Sequence, residues 1–305
     1  MSGAPKASQL LAVPNLSEGR DAVVIERLES AFRECATVLD RHSDPIHNRT
    51  VFSLFPRDGR AADALVTGAR AAIDAIDLSA HEGGHPRIGA LDVVPVVYLG
   101  AGAREEARTQ ALAAAAEISE LGVPVFLYGE LASVPERRER AFFRSGGPAA
   151  LRARMERGDL TPDLGPRIPH PTAGATLVTS RPPLAAFNIE FEGMTLAQAR
   201  AVAGALRESG GGRPGVRAIA LTLADDLTQI STNIHDPVAI PLAEVVARLR
   251  ELAAPHAGQI RAAEIVGLVP RAALEGFPED VPLPGFDRAT GVIEERLAWV
   301  AGERP

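Results

Sequence analysis

Apolar and polar positions along the chain alternate in short blocks, and the period of each block separates strands from helices. Residues 9–15, QLLAVPN, read as a strand, and Val24, Leu28, Ala31 and Cys35 fall at helical spacing after Asp21. ATVLDRH (36–42) and RTVFSLF (49–55) read as two strands separated by the turn-prone SDPIHN. DGRAADALVTGARAAIDAI (58–76) predicts a helix capped by Asp58, followed by a glycine-rich loop. LDVVPVVYL (91–99) and PVFLYG (124–129) are predicted strands, with an Ala-rich helix over 104–121 between them. From Pro148 to about Thr172 a short helix leads into TPDLGPRIPHPTAG (161–174), an irregular segment suited to a linker, a functional loop or both.

The second half repeats this grammar. LAAFNIEF (184–191) is a strand and LAQARAVAGALRE (196–208) a helix; VRAIALTLA (216–224) and LTQISTNI (227–234) form a hairpin around Asp225 and Asp226. PLAEVVARLRELAA (241–254) is a helix and AAEIVGLV (262–269) a strand. The order is β-α-β-β-α-β, and the first half shows it with an added α-β. The expected fold is therefore α+β, with two ferredoxin-like (βαββαβ) subdomains, residues 1–180 and 181–305, packed around a ligand cleft. FDRATGVIEERLAWVAG (286–302) predicts one amphipathic helix whose apolar stripe packs on a sheet.

Composition narrows the function classes. Hydrophobic residues make up 46% and charged residues 23%, as in an ordinary soluble protein. The start, MSGAPKASQL, lacks the basic and apolar regions of a signal peptide, and no apolar stretch is long enough to span a bilayer. Cys35 is the sole cysteine, which excludes intramolecular disulfides and thiolate metal clusters and suits a reducing cytoplasm. A net charge of −7 argues against general nucleic-acid binding and leaves room for an anionic small substrate held by a local arginine cluster. Lys6, in a leader expected to be disordered, is the sole lysine, so P-loop and Schiff-base chemistry are excluded and anion recognition falls to arginine.

HEGGHPRIGALDV, from His81, begins with a match to the zinc-hydrolase pattern H-E-x-x-H. That pattern works on a helix, which Gly83 and Gly84 weaken and Pro86 opposes at His85. A helical zinc site is therefore not expected; a non-helical one using His42, His47 or His170 is left open. His81 and His85 are either polar loop residues or working groups held over a rigid strand. VPNLSEGRD places Asn15, Ser17 and Glu18 at a strand end. DRHSDPIHNRT gathers Asp40, His42, Asp44, His47, Asn48 and Arg49, which by itself reads as a solvated turn. GPRIPHPTAG reads first as a linker, although its backbone N–H groups and Arg167 suit a flat or anionic ligand. QISTNIHD reads as ordinary strand and turn.

Taken together, the motifs resemble the formiminotransferase family. The resemblance is carried by VPNLSEGRD (13–21), HNRTVF (47–52), HEGGHPRIGALDVVP (81–95), VPVFLYGE (123–130), PDLGPRIPHPTAGAT (162–176), AAFNIEF (185–191), QISTNI (229–234) and GLVP (267–270). It implies a cytoplasmic homodimer that binds folate between its subdomains and transfers a formimino group from N-formimino-L-glutamate to tetrahydrofolate, a co-substrate, in histidine degradation. No metal is implied. The family's catalytic histidine falls on His85. Its folate segment falls on Gly165, Pro166, Arg167, Ile168, Pro169, His170, Pro171, Thr172, Ala173 and Gly174. His42, Asn48, Arg49 and Arg87 are further candidates for substrate binding, with Arg49, Arg87 and Arg167 suited to carboxylates. Two departures bear on the donor: His42 stands where some members carry an acidic residue, and LVTSR follows GAT where a Gly-Ala pair is common. With no cyclodeaminase extension after 305, the chain alone is not expected to release ammonia. The same pocket could serve another formimino donor or 5-formyltetrahydrofolate, or belong to a non-catalytic folate-binding homologue.

Overall fold

The computed structural model describes residues 10–224 and 226–302, which separate into a unit ending at Pro182 and one beginning at Pro183. Lys6, Gln9 and the hairpin residue Asp225 lie outside the described residues.

The first unit runs β1 (Leu10–Ala12), β2 (Asn15–Leu16), α1 (Ala22–Arg33), β3 (Ala36–Asp44), β4 (Arg49–Pro56), α2 (Ala61–Ala75) and β5 (Leu91–Tyr98). It continues with α3 (Arg104–Glu120), β6 (Val125–Leu127), α4 (Arg140–Arg144), α5 (Gly147–Glu156) and β7 (Thr176–Arg181). The strand predicted over 9–15 is interrupted at Pro14, which has no N–H for a ladder. Its two pieces both lie between β4 and β5, antiparallel to each. β3 pairs with β4 on one side, and β7 and then β6 continue in parallel beyond β5. β7 was not among the predicted strands.

One face of this sheet is covered by helices. Leu28 and Phe32 of α1, Leu65 and Ala69 of α2, and Ala111 and Ala114 of α3 pack on Leu10, Phe52, Leu54 and Val96. α1 and α2 approach closely at Gly68, where a Cβ would lie 2.0 Å from the Phe32 ring. A separate cluster of Ile88, Val93, Phe126, Phe143, Leu151 and Leu177 seats α4 and α5. Asp21 caps α1 as a side-chain acceptor for Val23 and Val24. Asp58 does not cap α2: it sits at φ 53° in a 3-10 turn, and the helix starts at Ala61 after Arg60, with no side-chain cap.

The second unit runs β8 (Ala185–Glu192), α6 (Leu196–Leu206), β9 (Val216–Ala224), β10 (Leu227–Ile234), α7 (Leu242–Ala253) and β11 (Gln259–Val266), in the expected βαββαβ order. The strands form an antiparallel sheet in the order β11-β8-β10-β9. Alternation sets its faces: Phe187, Ile189 and Phe191 enter the core with Val202, Leu242 and Leu249 of the helices. Thr195 and Gln198 close a capping box at the start of α6. The single C-terminal helix expected over 286–302 is two, α8 (Arg288–Gly291) and α9 (Ile293–Ala301). They break at Val292, whose extended backbone pairs with Val269. Ile293 is buried, but Trp299 is exposed beneath the Arg296 guanidinium, so the apolar stripe does not pack along its length. Among the described residues no helix is long and apolar enough to cross a membrane.

Candidate active site

The loop before β5 is held by close backbone approaches that its glycines permit. A Cβ on Gly83 would lie 2.4 Å from the His47 carbonyl oxygen, and one on Gly89 would lie 2.0 Å from that of Ala175. As expected, residues 81–87 form no helix. Asn48, at φ 50°, ties three loops together. Its amide donates to the Glu82 carbonyl at 2.9 Å, its Oδ1 accepts from Gly19 N–H at 2.8 Å, and its own carbonyl accepts from His81 Nε2 at 3.0 Å. Arg87 directs its guanidinium to the carbonyls of Gly83 at 3.0 Å and His81 at 2.5 Å. Asn48, Arg87 and His81 thus hold the shape of the loop. Burial lowers the pKa of His81, which favours the neutral ring in this tether.

His85 is set differently. Its Nδ1 lies 2.8 Å from the Pro86 carbonyl, an obligatory acceptor, so Nδ1 carries the proton and Nε2 keeps its lone pair. The ring retains some open surface, but protein crowds its other sides. Burial pushes its pKa well below the ordinary histidine value, and the positive charges of Arg49, Arg144, Arg140 and His47 push it further. The His47 ring stands edge-on at 6.1 Å and donates from Nδ1 to Asp44. Burial raises the Asp44 pKa, but hydrogen bonds from His47 outweigh it and hold the carboxyl below its usual range.

Beneath this loop Asp92 is fully buried. It accepts from Ile88 N–H at 2.8 Å and from Arg49 at 2.8 Å, and it pairs with Arg144. Burial works against its charge, and the two guanidiniums reverse the effect, so its pKa falls. Arg49 also reaches Asn15 Oδ1 at 2.9 Å.

The end of the 165–174 segment, with Ala175 after it, is zipped to the same loop. Leu78 N–H donates to Thr172 O at 2.7 Å, Ala90 N–H to Ala173 O at 2.9 Å and Ala175 N–H to Ile88 O at 2.9 Å. His170 Nδ1 accepts from Ala173 N–H at 3.0 Å, closing the turn over Pro171. Gly174 sits at φ 69°, and a Cβ there would lie 2.2 Å from the Ile88 carbonyl oxygen. Pro169 is buried, Pro166 half-buried, and Gly165, Arg167, Ile168 and Pro171 are exposed. Among the described residues Arg167 makes no side-chain hydrogen bond or ion pair, so it does not join the Asp92 cluster. His42 sits half-buried on β3 opposite Val51.

Sequence reasoning did not single out Asp92, Arg140, Arg144 or Arg181. The available signal was RAFFR, in which two arginines sit one helical turn apart, a like-charge spacing that disfavours a helix unless something offsets it. Among the described residues no three His, Cys, Asp or Glu side chains form a metal-binding group.

Comparison with known proteins follows the same division. A family profile described as "Formiminotransferase domain, N-terminal subdomain" matches residues 9–181, and one described as "Formiminotransferase domain" matches residues 186–276. The chain is 33% identical over 290 residues to a glutamate formimidoyltransferase of Streptococcus pyogenes serotype M1, covering 93% of this chain and 97% of the other. It is 34% identical over 296 residues to a protein of the same name from Thermoplasma acidophilum, covering 95% and 97%. A formimidoyltransferase-cyclodeaminase of Sus scrofa is 38% identical over 282 residues, covering 88% of this chain and 51% of that protein.

Proposed function

The chain belongs to the formiminotransferase family, and on that premise we propose that this transferase moves the formimino group of N-formimino-L-glutamate to N5 of tetrahydrofolate. The products are 5-formiminotetrahydrofolate and glutamate. The observation that carries this reading is the setting of His85: Nδ1 lies 2.8 Å from the Pro86 carbonyl, which assigns the proton to Nδ1 and leaves Nε2 as a base on a ring kept neutral by burial and by neighbouring cations.

The chemistry needs one proton moved twice. As N5 bonds to the amidine carbon, the π pair shifts to the imino nitrogen and His85 Nε2 takes the N5 proton. The imidazolium then returns that proton to the glutamate nitrogen as its bond to carbon breaks and the C=N bond reforms. A histidine whose protonated ring is destabilised by burial and by nearby arginines is a stronger conjugate acid and gives up this proton readily. The segment Gly165–Gly174 is assigned to folate on the family resemblance, and the bonds of Thr172 and Ala173 to Leu78 and Ala90 tie its end to the loop that carries His85. Asn48 and Arg87 act by positioning that loop, and Arg49 by holding Asp92. His42, on the same strand as Asp44, is assigned to donor recognition. A homodimer and a cytosolic setting follow from the resemblance and are tested by light scattering and cell fractionation.

Turnover is followed by acid conversion of the product to 5,10-methenyltetrahydrofolate and its absorbance. His85→Ala is expected to lower kcat by roughly 10²–10⁴-fold while tetrahydrofolate still binds. Near-normal turnover in that variant would remove His85 from the chemistry. The histidine at position 42 favours one variation, a different donor. Signal from another formimino amino acid or from 5-formyltetrahydrofolate, with none from N-formiminoglutamate, would replace the donor.

A further inference from the structure

Of the arginines whose charge reaches His85, Arg49 and Arg144 share one fully buried carboxylate. It belongs to Asp92, and its remaining oxygen is taken by Ile88 N–H. Arg144 is nine-tenths buried, yet its Nε has no partner. Arg140, one turn earlier on α4, is half-buried and makes no side-chain hydrogen bond or ion pair among the described residues. Arg181 ends β7, and its guanidinium donates to the Pro182 carbonyl at 2.9 Å. Arg181 alternates onto the face of β7 that carries Leu177, and Leu177 packs with Tyr128 and with Phe143 of α4, the helix of Arg140 and Arg144. Burial, with repulsion from Arg140, pulls Arg181 down to about 10, which leaves it cationic at neutral pH. Burial lowers Arg140 as well, and repulsion from Arg144 adds to it against the attraction of Asp92 and Glu139. Cations collected in this way destabilise one another until an anion enters.

We propose that Arg140, Arg144 and Arg181 form a carboxylate subsite, and that its occupant is the carboxylate end of the formimino donor. The inference rests on the transfer reaction proposed above and assigns its donor specificity. Planar guanidinium forks match carboxylates in bidentate geometry. The donor is short, so its carboxylates must lie within a few bonds of the carbon that His85 serves. The glutamate tail of folate presents the same chemistry, but the aminobenzoyl ring separates it from N5.

The test combines kinetics with direct binding on the full chain, using Arg140→Gln and Arg181→Gln, which alter separate elements, with folding checked by circular dichroism. Each variant is expected to raise KM for N-formiminoglutamate about ten-fold or more and to leave KM for tetrahydrofolate within about two-fold. Arg140→Lys should recover part of the loss, since it restores charge without the fork. Calorimetric titration with glutarate, a dicarboxylate with no group to transfer, should show the same weakening. Unchanged donor KM and glutarate affinity in both variants would overturn the subsite and leave the transfer reaction standing. A rise confined to KM for tetrahydrofolate would give these arginines to the folate tail and likewise overturn the proposal. Should the wild type transfer from no formimino donor, the reaction fails; glutarate binding lost in the variants would still sustain the carboxylate subsite, and absence of that binding would end it.

Discussion

Two carbonyl oxygens give the histidines of one loop opposite tautomers. His81 donates from Nε2 to Asn48 and serves as a tether, while His85 donates from Nδ1 to Pro86 and keeps Nε2 for chemistry. Because burial and the charges of Arg49, Arg144 and Arg140 hold the His85 pKa well below the ordinary value, the ring is neutral at pH 7. Two consequences follow with a definite sign. In kcat/KM, which reports the free enzyme, the acid limb assigned to His85 should lie below about pH 6.5. In Arg140→Gln it should move up toward that value, because one repelling charge is gone; a limb that stays put would show that Arg140 does not act on His85. For stability, the folded state disfavours the charged ring, so the contribution is fully present above the unfolded pKa of about 6.5 and is lost as pH falls through the lower folded value. Urea midpoints measured across that window, wild type against His85→Gln, should converge toward acid pH.

At the scale of elements, the loop works because a strand and a turn hold it from below. Gly174 shows the cost of disturbing that seam: its φ of 69° and the 2.2 Å approach to Ile88 O leave no room for a side chain. Gly174→Ala should destabilise the chain by about 1–3 kcal/mol in urea unfolding and depress turnover with it. Thr195→Ala, at the cap of α6 far along the chain, should cost about 1 kcal/mol and leave turnover alone. The elements also show what a sequence discloses. Strands with one apolar face, such as β8, were legible from alternation alone. β7 was not, because a parallel strand covered on both faces has no alternation to read, and TLVTSR is buried through Ser180. Asp58 looked like a cap because residue type does not report φ, and the break at Val292 depends on its bridge to a distant strand. His85 stood out through its motif. The pairing of Arg144 with Asp92 did not, since 52 positions separate them and nothing local marks either as a partner.

Across the whole molecule, charge is distributed against its average. The chain carries a net −7, yet Arg49 and Arg144 share the one buried carboxylate of Asp92, with Arg140 one helical turn from Arg144. Such a region costs stability when empty and returns it when an anion binds, a common conflict between folding and function. Arg140→Gln should therefore be at least as stable as the wild type without ligand, because it relieves the burial of a charge and the repulsion from Arg144 and removes no side-chain hydrogen bond or ion pair found among the described residues. The two proteins should then separate as ligand is added. A ligand that binds only the folded state stabilises it by about 2.7 kcal/mol at a hundred times Kd, and units of this size shift by roughly 2–4 °C per kcal/mol. Scanning calorimetry of the full chain with glutarate should thus raise the wild-type transition by several degrees, and that of Arg140→Gln by clearly less at the same concentration. A variant that is less stable than wild type when unliganded, and equally stabilised by glutarate, would mean that Arg140 supports the fold and takes no part in holding the anion.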